Sequence, residues 1–238
     1  MKFAILAAGE GSRLQKEGIT QPKPLVEING EKMIDRLIRI FLANHTTEID
    51  IITNDLTNRV QDHIHTLQRQ GLPIRLVVKT TPSSMHSLHH LQPLLQDSPF
   101  CLTTVDTIFP EHEFARMISQ FATTKADGLM GITDYIDDES PLHITINSTG
   151  QITGFLDTNP NPRYISAGIY CLRPSAFTIL NQCIANGESR MRNFQRALLA
   201  SGAKLDTYRF TKVFDIDHKS DIQKANRIVS QYENPLHI

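Results

Sequence analysis

The sequence has no excess of charge of either sign, with 24 Lys and Arg against 25 Asp and Glu in 238 residues. Without a global field to concentrate a polyanion, nucleic acid is not expected as a partner, and any phosphate binding must come from local clustering of donors. A disulfide framework is missing as well. The 3 cysteines, Cys101, Cys171 and Cys183, are odd in number, widely spaced and set among apolar residues, which fits reduced core thiols in a reducing compartment. Long apolar runs are also missing. The opening stretch is short and broken by Gly9 and Gly11, too short for a signal segment or a span, so a cytoplasmic protein without a membrane partner is expected. The sequence shows no repeats, low-complexity tracts or linkers, and its length fits one domain over 1–238.

Short β-branched apolar runs recur at Lys2–Ala8, Ile49–Thr53, Ile74–Lys79, Phe100–Val105 and Gly128–Thr133. Between them, Lys32–Asn44, Asn58–Gln70, Ser84–Leu95 and Glu111–Thr123 place apolar residues three and four apart, enough to bury one helical face on a sheet. This βαβ rhythm predicts an α/β fold with a mostly parallel sheet between helical layers. After Asp134 the rhythm shortens to His143–Asn147, Gln151–Leu156 and Ile165–Leu172, separated by Gly, Asn and Pro turns, which predicts a small antiparallel appendage. Helices are expected over Pro174–Ala185 and Met191–Ser201, then strands over Leu205–Phe210 and Val213–Ile216, and a last helix through Tyr232.

The segment Leu6-Ala-Ala-Gly-Glu-Gly-Ser-Arg13 ends a strand in small residues, which lets backbone N–H groups approach phosphate oxygens. Arg13 adds a planar cationic fork. Lys23, fixed between Pro22 and Pro24, supplies a second cation where the loop can fold back to it, so the two would enclose a triphosphate. A dinucleotide fingerprint would need glycine at position 14, which holds Leu14, and a Walker loop would need Gly-Lys-Ser/Thr. Both absences weaken those readings.

Leu6 to Leu14 together with Gln21 to Gly30 resembles the signature of the sugar-phosphate nucleotidyltransferases, the nucleotide-sugar pyrophosphorylases. The resemblance implies a GT-A-like, Rossmann-like nucleotidyltransferase fold with a mixed three-layer α/β/α architecture. It implies transfer of a nucleoside monophosphate from a nucleoside triphosphate to a sugar phosphate, with Mg²⁺. The nucleotide-binding roles fall on Leu6, Ala7, Ala8, Gly9, Gly11, Ser12, Arg13 and Lys23, within a nucleotide-binding part over 1–133. An acceptor-binding part with a second metal strand then occupies 134–238. A homodimer is compatible with this reading.

Such a transfer depends on alignment and on charge neutralisation at phosphoryl oxygens, and Mg²⁺ prefers hard oxygen ligands. Asp106 follows an apolar run, at the carboxyl end of a predicted parallel strand, and is the first metal-ligand candidate. Val105 stands where the family carries glycine. Asp215 and Asp217 share one face if their segment is extended, and either or both would complete the metal site. The alternative is that Asp217 caps the last helix and Asp215 is a surface charge. Arg13, Lys23 and Asp106 are the expected catalytic residues.

Tyr164 to Tyr170 resembles the family's acceptor-lining strand, which assigns Ser166, Ala167 and Gly168 to the acceptor. The family's acceptor-phosphate lysine is missing at Gly154 to Asp157, and Arg163, Lys204, Arg209 and Lys212 are candidate replacements. Ser83 and Ser84 lie where the family recognises the base, so UTP, dTTP or CTP is expected, although Ser84 as a helix N-cap accounts for the same sequence. A Ser-x-x-Ser-Leu pattern from Ser84 also resembles the phosphocholine cytidylyltransferases, a second function to weigh. A non-catalytic nucleotide-binding relative is a third, motivated by Val105 and the missing lysine. A glycosyltransferase is disfavoured because Asp106-Thr-Ile lacks the Asp-x-Asp pattern. His86, His89 and His90 have zinc-like helical spacing, but no Cys or carboxylate cluster accompanies them.

Overall fold

The computed structural model describes residues 1–137, 139–161 and 163–233, with side chains to residue 230, so the last five residues of the expected acceptor-binding part lie outside it. The first half runs β1 (Lys2–Ala7), α1 (Ser12–Lys16), β2 (Glu27–Ile28), β3 (Glu31–Lys32), α2 (Met33–Ala43), β4 (Ile49–Thr53), α3 (Asn58–Arg69), β5 (Ile74–Val78), α4 (Ser84–Leu95), β6 (Phe100–Thr104), β7 (Thr107–Ile108) and α5 (Glu111–Thr123). The second half runs β8 (Gly128–Thr133), β9 (His143–Ile146), β10 (Ile152–Leu156), β11 (Tyr164–Leu172), α6 (Ala176–Ala185), α7 (Met191–Ala200), β12 (Leu205–Phe210), β13 (Phe214–Asp215) and α8 (Lys219–Glu233).

Strands β5, β4, β1 and β6 lie side by side and parallel. The long strand β11 joins β6 antiparallel, β8 follows antiparallel to β11, and β12 closes the row parallel to β8. The sheet is therefore mixed and mostly parallel, with β11 the reversed member of this row. The apolar run of β11 was expected in the appendage. It belongs to the main sheet because it is long enough to pair with β6 and β8 and still hold the β9–β10 hairpin at Tyr164 and Ile165.

Strand alternation sends Phe3, Ile5 and Ala7 to one face, where they pack with α2, α3 and α5. Ala4, Leu6 and Ala8 go to the other face, against α4, α6 and α7. A third cluster packs α8 onto the short strands through Ile28, Ile108, Phe214 and Ala225. The three cysteines are free and buried. From β1 the chain winds outward through β4 and β5, then returns on the other side of β1 as β6. That reversal opens a crevice at the carboxyl ends of β1 and β6, the usual ligand position in such sheets.

Candidate active site

Two cavities meet at this crevice. The first, about 330 Å³, lies over the ends of β1 and β6 and is lined by Leu6, Ala8, Gly9, Gly11, Lys23 and Asp106, with Ser83 and Ser84 on its far wall. The second, about 230 Å³, lies toward β11 and α8 and is lined by Arg13, Tyr135, Ser166, Ala167, Asp215 and Asp217.

Local sequence explains how the cations arrive. Gly11 takes a left-handed conformation (φ 66°) just before α1, which turns the chain so that Ser12 and Arg13 begin a helix. Pro22 and Pro24 flank Lys23 in a single tight turn, closed by Leu25 N–H donating to the Pro22 carbonyl at 2.8 Å. The Lys23 ammonium, whose side chain is only 11% exposed, pairs with Asp106 and also donates to Asp217 Oδ1 at 2.9 Å. Arg13 Nη1 donates to the other Asp217 oxygen, Oδ2, at 2.8 Å. Asp106, Lys23, Asp217 and Arg13 thus form an unbroken row of alternating charges that crosses from the first cavity into the second.

The carboxylates are brought together by a two-stranded pairing that the sequence did not predict. Strand β13 runs antiparallel to β7, placing Asp215 opposite Thr107, and Ile216 N–H donates to the Asp106 carbonyl at 3.1 Å. Only Phe214 and Asp215 are extended, less than the expected Val213–Ile216, yet Asp215 and Asp217 still line the same cavity. Solvent reaches Asp215 through the cavity mouth, but protein surrounds it, and that burial together with the nearby Asp106 charge pushes its pKa up to about 8. Burial also opposes ionisation of Asp217, but the Lys23 and Arg13 charges outweigh it and hold this carboxyl below its ordinary range. For Lys23, desolvation is outweighed by Asp106 and Asp217, so its ammonium is held above the usual lysine range. The carboxylate that fastens the start of α8 is Asp221, in its first turn, not Asp217: Asp221 Oδ2 accepts from Asp217 N–H at 3.0 Å and His218 N–H at 2.7 Å.

The donor set fits a hard divalent cation. Asp106 Oδ1 is buried and has no hydrogen-bond partner, and Asp215 is an acidic neighbour close enough for the Asp106 charge to oppose its ionisation. Among the described residues no group of three or more His, Cys, Asp or Glu converges to hold an ion alone, so phosphate oxygens and water would complete the coordination.

Not every expected residue lines these two cavities. Ala7 points to the opposite face of the sheet, because alternation separates it from Leu6 and Ala8. Ser12 opens α1 and is exposed outside both cavities, and Gly168 marks a bulge in β11 with φ 70°. Ser83, rather than Ser84, is the N-cap of α4, accepting from His86 N–H. Of the replacement cations, Lys204 precedes β12 at the far, amino end of the sheet, whereas Arg209 pairs with Asp134, Arg163 stacks on Tyr164 and Lys212 lies 4.3 Å from the Tyr135 ring centre. Sequence reasoning missed Tyr135, Asp137, Glu139, His218 and Asp221 in the second cavity. Tyr135, Asp137, Glu139 and His218 come from irregular segments without periodicity, where only the density of carboxylates after Thr133 offered a signal, and Asp221 lies in the first turn of α8, where nothing in its pattern marks it for the cavity.

The family model described as nucleotidyl transferase matches residues 2–231. A mannose-1-phosphate guanyltransferase of Neurospora crassa is 25% identical over 184 residues, covering 74% of this chain and 50% of its own length. An N-acetylmuramate alpha-1-phosphate uridylyltransferase of Caulobacter vibrioides is 24% identical over 158 residues, covering 65% of this chain and 61% of its own. The chain thus spans roughly half to three fifths of these curated relatives. Among solved structures, the inositol-1-phosphate CTP transferase of T. maritima superposes with a TM-score of 0.83 at 15% identity, covering 100% of this chain and 98% of the other, a likeness of fold.

Proposed function

The chain belongs to the nucleotidyl transferase family, and we propose that it moves a nucleoside monophosphate from a nucleoside triphosphate onto a sugar phosphate. The observation that carries this reading is the row Asp106, Lys23, Asp217 and Arg13, which joins a nucleotide-sized cavity to a second one. The triphosphate lies over the Gly9 to Gly11 loop, with Lys23 and Arg13 on its phosphoryl oxygens. An ionised oxygen of the acceptor phosphate, in the cavity of Ser166 and Ala167, attacks the α-phosphorus. The bond to the β-phosphoryl bridging oxygen breaks, and pyrophosphate leaves from the opposite side. No general base is needed, because the attacking oxygen is already deprotonated. Mg²⁺ bound by Asp106 with Asp215 or Asp217 would neutralise charge on the phosphoryl oxygens.

Ser83 and Ser84 place hydroxyl groups on the wall opposite the loop, which supports a pyrimidine triphosphate, UTP, dTTP or CTP. Relatives that use guanylate keep GTP in the test. Three buried thiols support a reducing cytoplasmic setting, and no helix among the described residues is long and apolar enough to cross a membrane.

One observation favours a second reading, a phosphocholine-type cytidylyltransferase. The acceptor cavity carries Asp137, Glu139 and Asp221 besides the two candidate metal carboxylates, and its cations Arg13 and His218 are both in ion pairs. A cationic acceptor would be attracted to such walls. The test is exchange of labelled pyrophosphate into UTP, dTTP, CTP and GTP with Mg²⁺ in the presence of a sugar 1-phosphate or of phosphocholine, because direct displacement returns label to the triphosphate only through the acceptor-bound product. Exchange with sugar-phosphate turnover supports the first reading and exchange with phosphocholine turnover the second. No exchange with any triphosphate defeats both.

A further inference from the structure

We propose that Asp217 is a specificity-determining residue that acts as an internal competitor for the triphosphate, holding its cations in the free protein and resealing them as pyrophosphate departs. The inference rests on the assignment of Lys23 and Arg13 to the triphosphate. Both cations end on one carboxylate, at 2.9 Å and 2.8 Å, each on a different oxygen, in the way two donors would divide the oxygens of a phosphoryl group. An anion that takes these same donors competes with it.

Asp217 is built to be displaced, and Asp106 is not. The Asp217 side chain is 42% exposed and follows the end of β13, whereas Asp106 is 16% exposed and pinned through its carbonyl to Ile216. Exposed ion pairs are weak and exchange readily, so the contacts of Asp217 are the ones a ligand can replace. Its backbone stays anchored, because Asp221 accepts from the N–H groups of Asp217 and His218. The carboxylate therefore swings from a fixed pivot and returns when the site empties. A triphosphate spans both cations and carries enough charge to win this exchange. A single phosphate reaching one cation does not, and pyrophosphate, with less charge than its parent, is expelled more readily.

The test is calorimetric binding of pyrophosphate in the presence of chelator, without acceptor or metal, so that turnover and coordination play no part. Asp217→Asn and Asp217→Ser, each checked for an unchanged melting temperature, are expected to bind pyrophosphate about fivefold tighter than the unaltered protein. Asp137→Asn, which removes a carboxylate of the same cavity that pairs with Lys224 instead, is expected to stay within about twofold. Unchanged or weaker binding in both Asp217 variants overturns the proposal, as does equal tightening by Asp137→Asn, which would reveal only bulk charge. If the unaltered protein binds no pyrophosphate even when Mg²⁺ replaces the chelator, or binds it no more tightly than Lys23→Ala does, the assignment of the cations fails instead.

Discussion

A Cβ at Gly11 would lie 3.0 Å from the Cβ of Lys23, so the loop after β1 rests directly on the stem of the lysine. Gly11 also has φ 66°, a conformation that an L side chain enters only at a penalty of about 1 kcal/mol. Gly11→Ala would push Lys23 away from Asp106 and unseat α1, which starts at the next residue. Triphosphate affinity should fall at least about tenfold, while stability falls by only about 1–2 kcal/mol. Calorimetric titration paired with urea unfolding separates the two effects.

Lys23 neutralises Asp106 and Asp217 together, so its removal does more than delete a phosphate contact. Lys23→Ala should lower pyrophosphate exchange by about a hundredfold or more, the scale of losing one group that stabilises transition-state charge. Arg13→Ala, from a more exposed position, should lose less. Asp106→Asn should abolish both exchange and the metal dependence of triphosphate binding. Exchange at the unaltered rate in Asp106→Asn would remove this carboxylate from the reaction.

Asp215 makes stability depend on pH with an unusual sign for a carboxylate. Its folded pKa is raised to about 8, against 3.8 for an ordinary aspartate, so between those values the folded state holds a proton that the unfolded chain has released. Its contribution is fully present below about pH 4 and is lost as pH rises through 8. His218, raised by its bond to Glu17, acts in the same direction over the upper part of this window. Urea unfolding at pH 5 and pH 8 should therefore show stability falling with pH, and Asp215→Asn should flatten the slope where His218→Gln removes only its upper part. A slope identical in Asp215→Asn would show that solvent in the cavity mouth screens this group.

The parallel core and the cationic half of the site were legible in the sequence because both are written locally. Strand runs such as Ile49–Thr53 carry their own pattern, and Arg13 and Lys23 sit beside the glycines and prolines that position them. What sequence could not supply was pairing between distant short segments. The β7–β13 ladder that sets Asp215 against Thr107 consists of two residues on each side, too few for any periodicity. Tyr135, Asp137 and Glu139 fall in irregular chain after β8, so nothing but the fold gathers them around the second cavity. Ala7 shows what a motif leaves out, since it names consecutive residues while a strand sends their side chains to opposite faces.

Phe114 tests whether the site depends on the far layer of the fold. Its ring lies 5.9 Å from Phe3, 5.6 Å from Phe41 and 5.1 Å from Phe109, all fully buried, and it fastens α5 to β1. Phe114→Ala should destabilise by about 3–5 kcal/mol, the usual result of emptying such a position. Exchange per folded molecule, measured well below the new midpoint, should change little, because the cavities lie at the strand ends.

Ser83 and Ser84 separate helix capping from base recognition at adjacent positions. Ser83 accepts from His86 N–H at the start of α4, so Ser83→Ala should lose about 1 kcal/mol of stability. Ser84 lies inside the first turn and makes no cap, yet it lines the nucleotide cavity, so Ser84→Ala should leave unfolding within about 0.5 kcal/mol. If its hydroxyl reads the base, exchange rates with UTP, dTTP and CTP will change relative to one another in Ser84→Ala while the sum of stability terms stays put. Equal loss with all three would assign the wall to packing alone, and base choice would then have to come from the backbone around Ala8 and Thr81.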